Sequence, residues 1–474
     1  ENKFTLLQGP PGTGKTRTAI ELLNALHLCQ FQKYYKTLSH KTWEKVRESA
    51  YDRVTGRSHT SSVGRRRTGA IYSKDMTLGD ILDAMENAGS DDIVLSPKPH
   101  ILVCAPSNAA VDELVRRLIN QNFRDNENKV YTPDILRIGS KKTENEAWKM
   151  TSLDARVDEF MNKGALEAAG IARQADRDLF GMREKLTNLK RTARQFMEWW
   201  NAGMIKHSNF NLNRESWGKV NNIPPSDSNH RQIEELKVHL TQLMECMRSC
   251  ELSRNRYDML AQLNTDSKPN AQTGLGFVGS DRKKKKATDS TTRRQRNEII
   301  VRRALETSHL DEAEIVFCTL STAGSEMIVN RMRRAWDFVL IDEAAQSVEL
   351  STLVALQHQV SRCILIGDPQ QLPATVSIAS GNMRLYQQSL FERLMRAGHS
   401  VSVLDTQYRM HPEISAFPSA HFYDSKLKNG DNVCSLAWKK PYHVEKRYRP
   451  LVFFDVASRQ QKDILTLSSY NTTE

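Results

Sequence analysis

Gly9-Pro10-Pro11-Gly12-Thr13-Gly14-Lys15-Thr16 follows the apolar run Phe4, Leu6, Leu7 and precedes a stretch of helical spacing, so a glycine loop stands between a strand and a helix. In that context the pattern reads as a phosphate-binding loop. Gly12 and Gly14 let the backbone curl with its N–H groups turned inward onto phosphate oxygens, and the N-terminus of the next helix adds partial positive charge. Lys15 is placed to reach the outer phosphates and the Thr16 hydroxyl a magnesium ion. Gly9, Pro10, Pro11 and Thr13 complete the cradle. The expected ligand is a nucleoside triphosphate with Mg2+.

Short apolar runs recur beyond the loop, at Phe4 to Leu7, Ile101 to Cys104, Ile315 to Cys318, Phe338 to Ile341 and Cys363 to Ile366, each followed by Gly, Pro, Ser or acidic residues. Buried parallel strands look like this in sequence, and the class they predict is α/β, an open sheet with a ligand crevice at the strand C-terminal ends. At 474 residues the chain is long for one core and suggests roughly two or three domains. A net charge of +12 favours a polyanionic partner. The seven cysteines form no C-x-x-C pair and read as free thiols, neither a disulfide frame nor a zinc site. No apolar run approaches the roughly 20 residues that cross a bilayer, which argues against a membrane partner, and no secretory signal opens the chain. Glu1 lies one step from a core strand, so the chain is expected to be an excerpt of something longer.

Two inserts interrupt the strand pattern. Residues 30–98 are polar, include Arg65-Arg66-Arg67, and are expected to be mostly mobile, with short helices such as Leu78 to Ala88. Residues 151–310 carry 28 Lys+Arg against 20 Asp+Glu, most of the net charge. Leu179, Met182, Leu186, Leu189, Ala193, Phe196 and Trp200 step by threes and fours, as do Ile233, Leu236, Leu240, Leu243, Met247 and Cys250. The spacing predicts an antiparallel helical hairpin over 172–262 with arms of roughly 45 Å, or self-association through the same coiled-coil stripes. Residues 264–295 lose periodicity and read as a disordered basic segment. Its run Arg282 to Lys286 fits a solvated tether, a phosphate contact or a nuclear address. The strand pattern restarts at Val401 to Leu404, with a further run at Leu451 to Phe454. Hence the expected division is a first domain over 1–398 and an incomplete second one over 399–474.

A triphosphate site needs a second magnesium ligand and a group acting on the attacking water. Val339-Leu340-Ile341-Asp342-Glu343 supplies adjacent carboxylates at a strand end, expected to diverge because strand neighbours face opposite ways. Asp342 would serve the metal and Glu343 the water. In Gly367-Asp368-Pro369-Gln370-Gln371, Gln371 is the candidate sensor of a γ-phosphate.

GPPGTGKT (9–16), APSNAAVDEL (105–114), CTLSTAGS (318–325), LIDEAAQ (340–346), GDPQQLPAT (367–375) and LDTQYRMHPEIS (404–415) occur in the order found in superfamily 1 helicases. The chain resembles the senataxin-like branch, shared with the nonsense-mediated-decay helicase, across nearly everything outside the inserts. The resemblance implies a RecA-like P-loop NTPase domain with a parallel sheet, a helical-hairpin insertion (a prong) and the start of a second RecA-like domain. It implies an ATP-driven motor moving 5′ to 3′ along single-stranded RNA or DNA, unwinding duplexes or RNA–DNA hybrids, with an ATP-switched clamp or a non-catalytic scaffold as the alternatives.

Roles carry over at matching positions. Lys15 and Thr16 bind phosphate and magnesium, Asp342 holds the metal, Glu343 is the base, Gln371 senses the γ-phosphate, Arg409 contacts it from the second domain, and Tyr408 lies beside the nucleoside. Pro106, Ser107, Asn108, Thr319 and Ser321 match positions lining the strand backbone, although Ser107 and Asn108 also read as a helix N-cap before Val111. The resemblance further implies a nuclear location, with a cytoplasmic one as the alternative, and the transcription machinery as a candidate partner; the chain is expected to be a monomer. An adenine-reading glutamine element and a final arginine finger do not appear between Glu1 and Glu474. This chain alone is therefore expected to bind ATP weakly and to turn it over slowly.

Overall fold

The structure, a computed structural model, describes residues 3–54, 98–139, 150–207, 227–265, 280–331, 336–358, 360–376, 386–435 and 441–453, with 455, 460–462 and 469–471. Strand β1 (Phe4–Gln8) enters the glycine loop and helix α1 (Lys15–Val54) leaves it. Next come β2 (Ile101–Ala105), α2 (Asn108–Gln121), β3 (Ile135–Arg137) and α3 (Leu153–Met161). Three long helices succeed them: α4 (Ala165–His207), α5 (Asp227–Thr265) and α6 (Ser280–Glu312). The chain then returns through β4 (Ile315–Thr319), α7 (Leu320–Ala323), α8 (Glu326–Arg331), β5 (Phe338–Ile341), α9 (Glu349–Leu356) and β6 (Arg362–Gly367). It closes with α10 (Leu390–Arg396), β7 (Val401–Val403) and α11 (Pro412–Phe422).

These strands form one seven-stranded sheet in the order β3-β4-β2-β5-β6-β1-β7. Every pairing is parallel; Leu6 lies opposite Leu365, and Val103 lies between Phe317 and Leu340. Alternate residues of each strand feed two separate cores, as a strand buried on both faces requires. Ile101, Val103, Phe317, Leu340 and Ile366 pack with Leu23 of α1 and Leu114 and Leu118 of α2. Leu102, Cys104, Val316, Val339 and Leu365 pack on the other face with Val157 of α3, Leu310 of α6, Ile328 of α8 and Phe391 of α10.

The polar insert after the glycine loop differs from expectation. Residues up to Val54 continue α1, a helix of 40 residues, and on it Phe31, Tyr34 and Leu38 form an apolar stripe that the surrounding polar residues hide in the sequence. The Tyr34 hydroxyl donates to Glu245 of α5 (3.2 Å) and accepts from Arg248 (3.2 Å). Lys98 pairs with the same Glu245 (3.1 Å) and stands 3.8 Å from Glu314, whose carboxylate meets His27 of α1 at 3.0 Å. Burial pushes the Glu314 carboxyl up, but His27 and Lys98 outweigh it and hold it below the usual carboxylate range. The expected helix at Leu78 to Ala88 and the run Arg65 to Arg67 lie outside the described residues.

Helices α4 and α5 run antiparallel: Ala168 and Ala172 pack with Leu260 and Tyr257, and Cys250 Sγ donates to Ala175 O at 3.4 Å. With 43 and 39 residues they extend about 65 and 60 Å, longer than the apolar stripes alone suggested. Their base is fixed to the sheet domain. Phe160 stacks on Tyr257 with centroids 4.8 Å apart, Lys163 donates to the Tyr257 hydroxyl (2.9 Å), and Arg302 binds Asp158 (2.7 Å). Arg256 donates to Ser308 and Glu312 of α6; burial first, and then Arg256 and Arg156, lower the nearby His309 to about 3, so its ring is neutral at physiological pH.

Three further expectations are corrected. The basic segment is helical from Ser280, since Arg, Lys and Ala sustain a helix by propensity without an apolar stripe. Strand β7 hydrogen-bonds beside β1 at the edge of the first sheet, with Leu6 opposite Val401, so the boundary drawn at 398/399 falls too early. Residues Leu451 to Phe453 form no strand: Leu451 is 61% and Phe453 89% exposed, with no neighbouring strand among the described residues to complete a ladder.

Leu102 is fully buried at the sheet centre. Leu102→Ala is expected to cost about 2–5 kcal/mol, read as a lowered urea midpoint at unchanged slope.

Candidate active site and nucleic-acid interface

Because every strand points the same way, the loops after β1, β5 and β6 converge on one sheet edge. Gly12 and Gly14 have φ of +76° and +83°, left-handed values that let the glycine loop wrap. A Cβ on Gly9 would collide with the Lys15 side chain, which folds back across the loop. The loop is tied to its neighbour by Gly9 N–H donating to Gly367 O (3.0 Å), and Thr13 closes it by donating to Pro10 O through its hydroxyl (2.8 Å).

Strand β5 stops at Ile341, so Asp342 and Glu343 sit in a turn and do not alternate as strand neighbours. Glu343 adopts a left-handed conformation (φ 50°), a strained choice for a side chain of this kind. Asp342 accepts from the Glu343 N–H at 3.0 Å. The Glu343 carboxylate lies 3.8 Å from Lys15 Nζ and accepts from Gln346 Nε2 at 3.1 Å. Asp342 is buried, and burial, then the neighbouring Glu343 charge, pushes its carboxyl up to about 6. A buried carboxylate held at such a cost fits a hard divalent cation, and with the Thr16 hydroxyl it offers the oxygen donors magnesium prefers.

Asp368, 2% exposed, gathers the rest of the pocket. It accepts from Gln8 Nε2 (3.1 Å), Gln370 N–H (3.2 Å), Gln371 Nε2 (2.7 Å) and the Tyr423 hydroxyl (2.7 Å). Gln371 also donates to Gly9 O (3.3 Å), so it lies against the glycine loop with both amide hydrogens engaged. A phosphate contact would require one of them to be released. In the sequence Asp368 is disguised as part of an ordinary Gly-Asp-Pro turn; its position at the end of a buried strand is the available signal.

Tyr408 and Arg409 are brought to the same loop. Tyr408 N–H donates to Gly12 O (2.9 Å), and a Cβ on Gly12 would stand 2.8 Å from Arg409 Cβ. The fully buried Gln407 shapes this turn, accepting from the N–H groups of Arg409 (2.9 Å) and Met410 (2.7 Å). Tyr408 is 55% exposed and open to a ligand.

The remaining candidates stand together on the adjacent strands β2 and β4, where Ala105 lies opposite Thr319. Ser107 caps α2 by accepting from Ala110 N–H (3.2 Å), so the N-cap reading holds for it, while Pro106, Asn108 and Ser321 flank the same edge. Thr319 caps α7 and shares a 2.8 Å hydrogen bond with Thr322. Asp342 is next to this group along the sheet order, since β5 pairs directly with β2.

A family model for an AAA domain matches residues 1–378, and a second AAA domain model matches residues 386–474. The chain is 29% identical to helicase sen1 of Schizosaccharomyces pombe, over 100% of this chain and 22% of that protein. It is 28% identical to probable helicase MAGATAMA 3 of Arabidopsis thaliana, over 96% of this chain and 40% of that protein. It is 24% identical to probable helicase senataxin of Homo sapiens, over 97% of this chain and 13% of that protein. The chain thus spans less than half the length of these relatives.

The Asp342 carboxyl binds its proton more tightly folded than unfolded between its ordinary value and about 6, so this group lowers stability as pH rises through that window. Asp342→Asn is expected to raise the melting temperature of the nucleotide-free protein at pH 7.5, corresponding to about 1–3 kcal/mol, and to have little effect near pH 4. The same variant should lose the added stabilisation that Mg2+ with a nucleotide gives the natural sequence.

Proposed function

Since this chain belongs to the AAA-domain proteins, in their senataxin-like superfamily 1 helicase branch, we propose that it is the motor part of an ATP-dependent helicase acting on single-stranded RNA or DNA. The observation that carries this reading is the shared sheet: Asp342 and Glu343, the latter 3.8 Å from Lys15 of the phosphate loop, follow β5, which pairs with β2, and β2 pairs with β4, so the polar loops after β2 and β4 stand beside these carboxylates. Hydrolysis and strand contact on neighbouring strands of one rigid sheet give a short route for coupling.

Lys15 and the loop amides bind the triphosphate, and Arg409 adds charge from the far side of Gly12. Thr16 and Asp342 would hold Mg2+, which neutralises charge between the outer phosphates when bound. Glu343 takes a proton from the attacking water as the water oxygen bonds to the γ-phosphorus and the bond to the bridging oxygen breaks, releasing ADP. Gln371 exchanges one of its present partners for a γ-phosphate oxygen and so reports the nucleotide state. Pro106, Ser107, Asn108, Thr319 and Ser321 contact phosphate and sugar, which makes binding tolerant of sequence and sensitive to salt.

We assign the chain beyond β7 to a second motor domain and the α4–α5 hairpin to guiding the strand. Movement 5′ to 3′, action on RNA–DNA hybrids, a monomeric state, nuclear residence and a link to the transcription machinery rest on the senataxin-like resemblance.

Glu343→Gln tests the motor against an ATP-switched clamp. A motor keeps ATP and oligonucleotide binding but loses hydrolysis by about 10²–10⁴-fold, and with it strand displacement. Retained displacement of a labelled duplex strand by this variant favours the clamp.

A further inference from the structure

Arg137, at the end of β3, is 2% exposed. Its guanidinium donates to three acceptors: Nε to Asp112 Oδ1 (2.9 Å), Nη1 to Ile138 O (2.7 Å) and Nη2 to Asn108 Oδ1 (2.8 Å). The first and third partners lie on α2, whose N-terminal turn carries the strand-facing loop. The arrangement also restricts the backbone: Gly139 has φ of +146°, and a Cβ there would run into the guanidinium.

A guanidinium has donors and no acceptor, which fixes the otherwise ambiguous orientation of an asparagine amide. Asn108 must turn its carbonyl oxygen to Arg137, so its Nδ2 donors point away from the guanidinium. We propose that Arg137 is a positioning residue that holds the Asn108 amide with its N–H groups presented to the phosphate or hydroxyl oxygens of a bound single strand. Nucleic-acid backbones offer acceptors at their phosphates, so the presented polarity is the one that binds. This rests on the strand-binding reading above and adds to it the orientation of the contact and the residue that sets it.

The test ranks three variants by fluorescence anisotropy on a short labelled oligouridylate, with binding of a fluorescent ATP analogue and melting temperature as controls. Asn108→Asp preserves the partner of Arg137 but presents an oxygen to phosphate, whereas Asn108→Ala loses both partner and donors. The expected order of affinity is Asn108 above Asn108→Ala above Asn108→Asp, the last weaker than the natural sequence by about tenfold or more. A role confined to packing predicts the reverse, with Asn108→Asp near the natural affinity and Asn108→Ala weaker; that order, or no change in either, overturns the proposal.

Arg137→Lys keeps the charge but not the planar fork. It should weaken oligouridylate binding while leaving ATP-analogue affinity unchanged. Equal loss of both would mark Arg137 as merely structural and also overturn the proposal. Failure of the natural chain to bind oligouridylate at all would instead sink the strand-binding reading beneath it, and this inference with it.

Discussion

Parallel pairing in a single register is the constraint on which the rest of this molecule depends. With all seven strands pointing one way, each strand's C-terminal loop emerges on the same edge, and residues more than 300 positions apart in the chain become neighbours. The pairing of β1 with β6 brings Gly9 against Gly367, and that of β2 with β4 brings Ala105 against Thr319. Both faces are sealed by helices, so the strands read as unbroken apolar runs and the polar groups that do chemistry are forced to their ends.

Within that frame the pocket is organised by hydrogen bonds to one carboxylate. Asp368 joins β1 through Gln8, its own turn through Gln370 and Gln371, and the later segment through Tyr423. A group that receives donors from both sequence halves links the state of the phosphate loop to the position of the segment after β7. The hairpin is linked as well, because the helix that starts at Lys15 reaches Glu245 through Tyr34 at its midpoint.

The fold class was legible because buried strands and a glycine loop leave short, local signatures. The phosphate loop, Asp342, Glu343 and Gln371 each end such a strand, so locating the strands located them. Longer-range facts were not legible. The Phe31, Tyr34 and Leu38 stripe lies in a polar context, and its packing with the hairpin depends on residues some 200 positions away. The run Val401 to Val403 carries no mark of which sheet it joins; hydrogen bonding to β1 decides that. Arg137 looks like one basic residue among many, and only burial against Asn108 and Asp112 reveals its task. The left-handed Glu343 could not be foreseen either, since a non-glycine residue seldom adopts that conformation and glutamate is not among the side chains that favour it.

If one sheet edge couples nucleotide to strand, the two ligands must sense each other. The affinity of the protein for a single-stranded oligonucleotide, measured without nucleotide and with a non-hydrolysable ATP analogue plus Mg2+, reads that coupling. A change of about five- to a hundredfold between the two states is predicted, with an equal reciprocal change in analogue affinity when the oligonucleotide is present. Identical strand affinities in both states would contradict it.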